Sequence, residues 1–208
     1  MGDMNPLQNS KPIEKQKGQM GSWARYYDLI MVLMTLGRER KLRQMEIRLA
    51  QIMPGDKVLE IGCGTGTLTL AIKAQVGSSG EAVGIDIAPE MIAVASRKAT
   101  LKGANVAFQA GSIASIPFTD NRFDVVMCSF MIFHMPEDIR RKGFKEIHRV
   151  LKAGGHLCIL DGASSDKRYD IRELAPVLKE TSFTDIETEK IKFMIMKGWL
   201  IRGKATKI

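Results

Sequence analysis

An α/β domain built on a mostly parallel sheet is the fold class this sequence predicts, and three observations predict it. Short apolar runs alternate with helix-length amphipathic stretches between residues 57 and 160, the pattern of right-handed strand–helix–strand crossovers. The first of these runs, Lys57–Ile61, empties directly into a glycine-rich turn that a helix follows. The length, 208 residues, suits one such domain with an appendage. At 45% hydrophobic and 26% charged residues, a chain of this size buries enough surface to need no disulfide or metal staple.

Residues 1–20 carry no apolar period and read as a flexible arm. Residues 21–53 read as a helical N-terminal cap and 54–208 as the main domain. The helical pattern runs from Trp23 to Ile52, with Leu42, Met45, Leu49 and Ile52 three or four apart and Arg40, Lys41, Arg43 and Arg48 filling the other faces. Gly37 divides it into two helices, and Pro54-Gly55-Asp56 stops the second. After strand Lys57–Ile61 come a helix over Thr67–Val76, a strand over Ala82–Ile87, and a helix that Pro89 opens and that runs to Lys102. Asn105–Gln109 and Phe123–Cys128 read as strands. Pro136–Lys152 reads as a helix with Ile139, Ile147, Val150 and Leu151 inward, ended by Ala153-Gly154-Gly155 before a strand over His156–Leu160. A helix over Tyr169–Thr181 follows. Two β-like runs, Asp185–Met194 and Trp199–Ala205, then flank a turn at Met196-Lys197-Gly198, a terminal hairpin.

The net charge of +8 sits at the two ends, and residues 58–165 are nearly neutral. That distribution argues against a nucleic-acid-binding core and leaves a basic face for membrane phosphate, RNA or an acidic substrate. Cys63, Cys128 and Cys158 are too widely spaced for a zinc site or a disulfide framework, so no metal is expected and a reducing, cytoplasmic setting is. The apolar run Leu29–Leu36 is far short of the about 20 residues of a membrane span, and the first 25 residues hold no signal-peptide core.

The sharpest chemical signal is Val58-Leu59-Glu60-Ile61-Gly62-Cys63-Gly64-Thr65-Gly66. Glycines at alternate positions let the backbone turn tightly and meet a ligand without Cβ obstruction. Thr67 stands near where a dinucleotide fingerprint carries its third glycine, so the loop suits a ligand without a pyrophosphate better than NAD. Asp86, 20 residues after Gly66 at a strand end, is placed to accept hydrogen bonds from both hydroxyls of an adenosine ribose. Helix capping is the competing role for it, because Ala88-Pro89 follows.

LEIGCGTGTLTL, GIDIAPEMI, SIPFTDNRFDVVMCSFMIFHM and LKAGGHLCIL resemble, in order, the signature segments of class I S-adenosylmethionine (SAM)-dependent methyltransferases. The resemblance spans about residues 23–208 and is nearest the ubiquinone/menaquinone C-methyltransferase subgroup. It implies a Rossmann-like seven-stranded mixed sheet of order 3-2-1-4-5-7-6, with strand 7 antiparallel and helices on both faces. It implies SAM as cofactor and S-adenosylhomocysteine as product. Carried over residue by residue, Gly62, Cys63, Gly64 and Gly66 would form the loop along the methionine and ribose portions, with Glu60 beneath it positioning the amino group. Asp86 would hold the ribose, and Ile87 and Met91 would flank the adenine. Gly111-Ser112-Ile113 would meet the adenine edge. The family often has Gly-Asp-Ala there, so Ser112 offers a hydroxyl without charge assistance. Ser129 would touch the methionine moiety, and Tyr27, from a Tyr-Asp pair on the cap, would reach the cofactor.

His134, with Phe130, Met131, Phe133 and Met135 around it, could deprotonate a methyl acceptor. The competing role is a local structural histidine, since transfer to an already nucleophilic acceptor needs no protein base. The Asn/Asp-Pro-Pro-Tyr/Phe motif of DNA amine methyltransferases is replaced by Ser129-Phe130-Met131-Ile132. Together these features point to methylation of a small or apolar, quinone- or lipid-like acceptor rather than nucleic acid. Arg38, Arg40, Lys41 and Arg43, just past Leu29–Leu36, leave room for peripheral membrane contact. Two alternatives stand beside that reading: a SAM-binding regulatory module without turnover, and a nicotinamide oxidoreductase, which Thr67 disfavours.

Overall fold

A computed structural model describes residues 26–132, 135–162, 174–193 and 196–207. The arm read over residues 1–20 and the start of the cap lie outside them. Residues 26–34 form the first helix, α1, which Gly37 (φ +73°) separates from α2, Glu39–Leu49. The elements after it are β1 Lys57–Ile61, α3 Thr67–Val76, β2 Glu81–Asp86, α4 Pro89–Leu101, β3 Ala107–Ala110, β4 Phe123–Ser129, α5 Glu137–Val150, β5 Leu151–Gly162, α6 Leu174–Glu180, β6 Phe183–Phe193 and β7 Met196–Ala205.

The seven strands make one sheet of order β3-β2-β1-β4-β5-β7-β6. β1 pairs in parallel with both β2 and β4, and β7 runs antiparallel to β5 and β6. Strand order reverses at β1/β4, so the chain leaves the carboxyl ends of these two strands in opposite directions and opens a crevice there. The central strands are buried on both faces, and alternate residues serve two cores. Val58, Val125, Met127 and Cys158 pack with Leu68, Ile72 and Val76 of α3 and Ile47 of α2. Leu59, Val126, Cys128 and Ile159 pack with Phe144, Ile147 and Val150 of α5 and Leu178 of α6.

Beside shifts of one to three residues at other described element ends, two departures from the sequence pattern have a tertiary reason. The helix expected through Lys152 ends at Val150, and Ala153-Gly154-Gly155 lies inside β5. Leu151 already pairs with Phe123, and the register shifts before His156 meets Val125. The turn expected at Met196-Lys197-Gly198 is instead part of β7, because Phe193 pairs with Met196 and Ile191 with Gly198. Gly198 is therefore a strand residue.

At Gly198 a Cβ would stand 2.5 Å from the backbone oxygen of Asp161, a distance no side chain tolerates. Gly198→Val is expected to cost about 1–3 kcal/mol of stability by overpacking, read as a lower denaturant midpoint with an unchanged slope. Wild-type stability in that variant would contradict this strand register.

Candidate cofactor-binding site

At the carboxyl ends of β1, β2 and β4 lies a cavity of about 350 Å³, lined by Tyr27, Ile61, Gly62, Gly64, Asp86, Ile87, Met91, Gly111, Ser112, Ile113, Ser129, Phe130, Met131, Met135, Pro136 and Ile139. A larger groove of about 890 Å³ runs between α2 and α3 on the outer surface, away from the strand ends where open α/β sheets bind ligands.

The loop after β1 forms the floor. The N–H groups of Gly62 and Cys63 both donate to Ile85 O, at 2.8 and 3.0 Å, folding the loop back on β2. Gly62 and Gly64 sit at φ +71° and +52° and present bare backbone to the cavity. Asp86 braces this loop. One carboxylate oxygen accepts the Gly64 N–H at 2.9 Å and the other accepts the Ala88 N–H at 2.9 Å, at the start of α4. The N-cap of α4 is Ala88, without a side-chain cap, so Asp86 holds the turn that leads into the helix rather than capping it, and a carboxylate with two acceptor oxygens keeps further acceptor capacity. Burial pushes its pKa up.

Three loop and strand residues stand behind the cavity wall. Gly66 caps α3, and a Cβ there would lie 2.5 Å from Phe108 Cζ and 2.8 Å from Ala95; its role is close packing. Cys63 is buried against Gly84. Glu60 is buried beneath the loop and accepts a hydrogen bond from the Thr69 hydroxyl. Burial drives its pKa up to about 8, against the pull of Thr69 and Arg43. Burial also raises all three cysteines, Cys158 to about 12, so none offers a thiolate.

The roof comes from α1. The Tyr27 ring packs on Ala88 and Met91 and would meet a Cβ built on Gly64 at 3.9 Å; burial raises its pKa. The next residue fastens the helix. Asp28 accepts the Thr65 hydroxyl at 2.6 Å and pairs with Lys98 Nζ at 2.7 Å, while Lys98 also donates to Thr67 at 2.9 Å.

Arg43 departs from the sequence pattern, which groups it with exposed cations. It is buried, paired with Glu46 at 3.0 Å and Glu39 at 3.1 Å. Acidic residues at i−4 and i+3 were the available signal. Glu46 is fully buried and its pKa is raised by that burial, with Arg43 opposing. The Ser129 hydroxyl lies near enough to Glu46 to lower its pKa, yet Oγ is buried without a hydrogen bond of proper geometry among the described residues. Ile61, Pro136 and Ile139 also line the cavity without a motif to announce them. His134 lies outside the described residues.

These residues fit an adenosine carrying an amino-acid tail. Asp86 offers acceptors for a ribose diol. Ile87, Met91, Ile113 and Ile139 make an apolar slot for a purine. The Ser112 hydroxyl accepts the Ala114 N–H at 3.2 Å and keeps its proton to donate. Ser129, at the end of β4, lines the opposite end of the cavity from that apolar slot. Sheet order and cavity together define a Rossmann-like domain of the class I methyltransferase type.

A "Methyltransferase domain" family model matches residues 58–155. A ubiquinone/menaquinone biosynthesis C-methyltransferase from Geobacter sp. (strain M21) is 35% identical over 150 residues, 71% of this chain and 63% of that protein. The chloroplastic 2-phytyl-1,4-beta-naphthoquinone methyltransferase of Arabidopsis thaliana is 32% identical over 145 residues, 68% of this chain and 55% of that protein. The chain thus spans about three fifths of the length of the curated relatives it matches. A SAM-dependent methyltransferase structure from Aquifex aeolicus matches the fold with a TM-score of 0.72 at 22% identity, over 89% of this chain and 98% of that one. Over residues 58–155 the chain thus matches a methyltransferase domain, and the relatives it resembles in sequence are of the ubiquinone/menaquinone type.

The raised pKa of Glu60 has a thermodynamic sign. With about 8 in the fold and about 4.3 unfolded, the native state holds the proton that the unfolded state has lost, so stability falls as pH rises across that window. Glu60→Gln keeps the Thr69 contact without the ionisable group. It is expected to match wild type near pH 4 and to exceed it by a few kcal/mol near pH 8, measured by denaturant unfolding across pH. A constant difference between the two would contradict burial as the cause.

Proposed function

We propose that this protein transfers a methyl group from SAM to a small apolar, quinone-like acceptor. The observation that carries the reading is the cavity at the carboxyl ends of β1, β2 and β4 that holds the Asp86 carboxylate, two bare glycines and Ser129. The names of the relatives favour a quinone-type acceptor, and the Phe130, Met131 and Met135 side of the cavity supplies an apolar surface for one.

SAM, when bound, supplies an electrophilic methyl on a sulfonium centre, which an acceptor takes by in-line displacement with S-adenosylhomocysteine as the leaving group. The chain's own residues hold and align. Asp86 and Ser112 fix the nucleoside, Gly62 and Gly64 allow backbone contact along the tail, and Tyr27 closes the roof against water. Such alignment replaces a bimolecular encounter with a near-unimolecular one, the largest contribution available where no acid or base takes part. Among the described side chains that line the cavity the one carboxylate is Asp86, and its oxygens are already engaged with backbone. This favours an acceptor that brings its own nucleophile, such as an acidic phenol or the activated ring carbon of a hydroquinone.

Two measurements test this. In calorimetric titration, Ser129→Ala is expected to weaken SAM binding about three- to tenfold, the worth of one hydrogen bond. Full SAM affinity in Ser129→Ala would move the polar end of the ligand elsewhere. With labelled SAM and a hydroquinone acceptor, label is expected in the organic product, and His134→Ala is expected to lower kcat less than about tenfold, short of the 10²–10⁴ of a general base. Full binding with no transfer to any phenolic or quinone acceptor would overturn the transferase reading.

A further inference from the structure

The helix that roofs the cavity has a second face that nothing among the described residues covers. Its inner side is fixed by Tyr27, Asp28 and the buried Met31 and Thr35. Eight large hydrophobic side chains are exposed among the described residues, and six of them, Tyr26, Leu29, Val32, Leu33, Met34 and Leu36, belong to this short stretch. Leu29, Leu33 and Leu36 are 58%, 65% and 67% exposed. A helix cannot turn to hide one face when the opposite face is clasped, so the apolar side stays outward. Leu36 (φ 49°) and Gly37 end the helix in left-handed conformation, with Gly37 N–H donating to Val32 O at 2.7 Å. Immediately beyond stand Arg38, Arg40 and Lys41, all exposed. No helix among the described residues is long and apolar enough to cross a membrane.

We propose that this face docks on the surface of an anionic lipid bilayer, with Leu29, Leu33 and Leu36 in the headgroup–acyl boundary and Arg38, Arg40 and Lys41 on the phosphates. An apolar helix face bordered by cations is the pattern of interfacial attachment. A second copy of the chain fits less well. The nine described residues of helix are about 14 Å long, too little to supply the about 800 Å² per partner of a stable dimer. Docking would also set the roof of the cofactor cavity against the phase that holds apolar acceptors. The proposal stands apart from the transferase reading, since attachment is measured without donor or acceptor.

The test is co-sedimentation of the full chain with phosphatidylcholine vesicles, with and without phosphatidylglycerol, at low and high salt. The full chain is expected to bind the phosphatidylglycerol vesicles and to be partly released by salt. Leu29→Ser with Leu33→Ser should weaken partitioning about a hundredfold, about tenfold for each leucine withdrawn, with SAM affinity unchanged. Arg38→Glu with Lys41→Glu should remove the preference for phosphatidylglycerol. Failure of the full chain to bind either vesicle would overturn the proposal, as would undiminished binding by the double serine variant. A dimer in sedimentation velocity that the serine variant dissolves would assign the face to a second copy instead. Vesicle binding without methyl transfer would overturn the transferase reading and leave this one standing.

Discussion

The cofactor end of the sheet is referenced to one carboxylate. Asp86 finishes β2 and ties down two neighbours at once, the glycine loop through Gly64 and the start of α4 through Ala88. Those two bonds set the spacing between loop and helix, and hence the width of the cavity that Gly62, Gly64, Ile87 and Met91 line. The cap depends on the same loop, because Thr65, next to Gly64, gives its hydroxyl to Asp28 of α1. A displacement at Asp86 would therefore propagate to the floor and the roof together. Burial raises its pKa, the cost of holding a charge where two backbone donors and a ligand diol need one.

Behind the cavity lies a second concentration of buried polarity: Arg43 with Glu39 and Glu46, and Glu60 with Thr69. Such clusters seldom add net stability over apolar packing, since desolvation offsets the Coulomb gain. Their effect here is positional. Arg43 and Glu46 belong to the cap and Glu60 and Ser129 to the sheet, and the cluster meets where α2 crosses the ends of β1 and β4. Arg43 Nε, Glu46 Oε1 and Ser129 Oγ are buried without a hydrogen bond of proper geometry among the described residues, so hydrogen-bonding capacity is concentrated next to the cavity.

What the sequence made legible was local. Lys57–Ile61 and Thr67–Val76 coincide with β1 and α3, because a buried run, a glycine turn and a helix start are each specified within a few residues. The sheet order came from the resemblance carried by the motifs, and the pairings agree with it. Illegible features depended on contacts distant in sequence. Gly154 and Gly155 look like a helix stop, yet a Cβ at Gly155 would stand 2.9 Å from Asp124 O in the neighbouring strand. Gly66 reads as a ligand glycine beside Gly62 and Gly64 until Phe108, on β3, fills the space beside it. Arg43 looks like a solvated cation because hydropathy takes no account of the acids that neutralise it.

The most direct test of this account is a crystal structure of the protein with S-adenosylhomocysteine. Density is expected between the Gly62–Gly64 backbone and the Ile87, Met91 and Ile139 wall, with the ribose hydroxyls on Asp86, the tail within hydrogen-bond reach of Ser129 and the Tyr27 ring over the ligand. Density in the groove between α2 and α3, or a ligand that leaves Asp86 and Ser129 untouched, would contradict it.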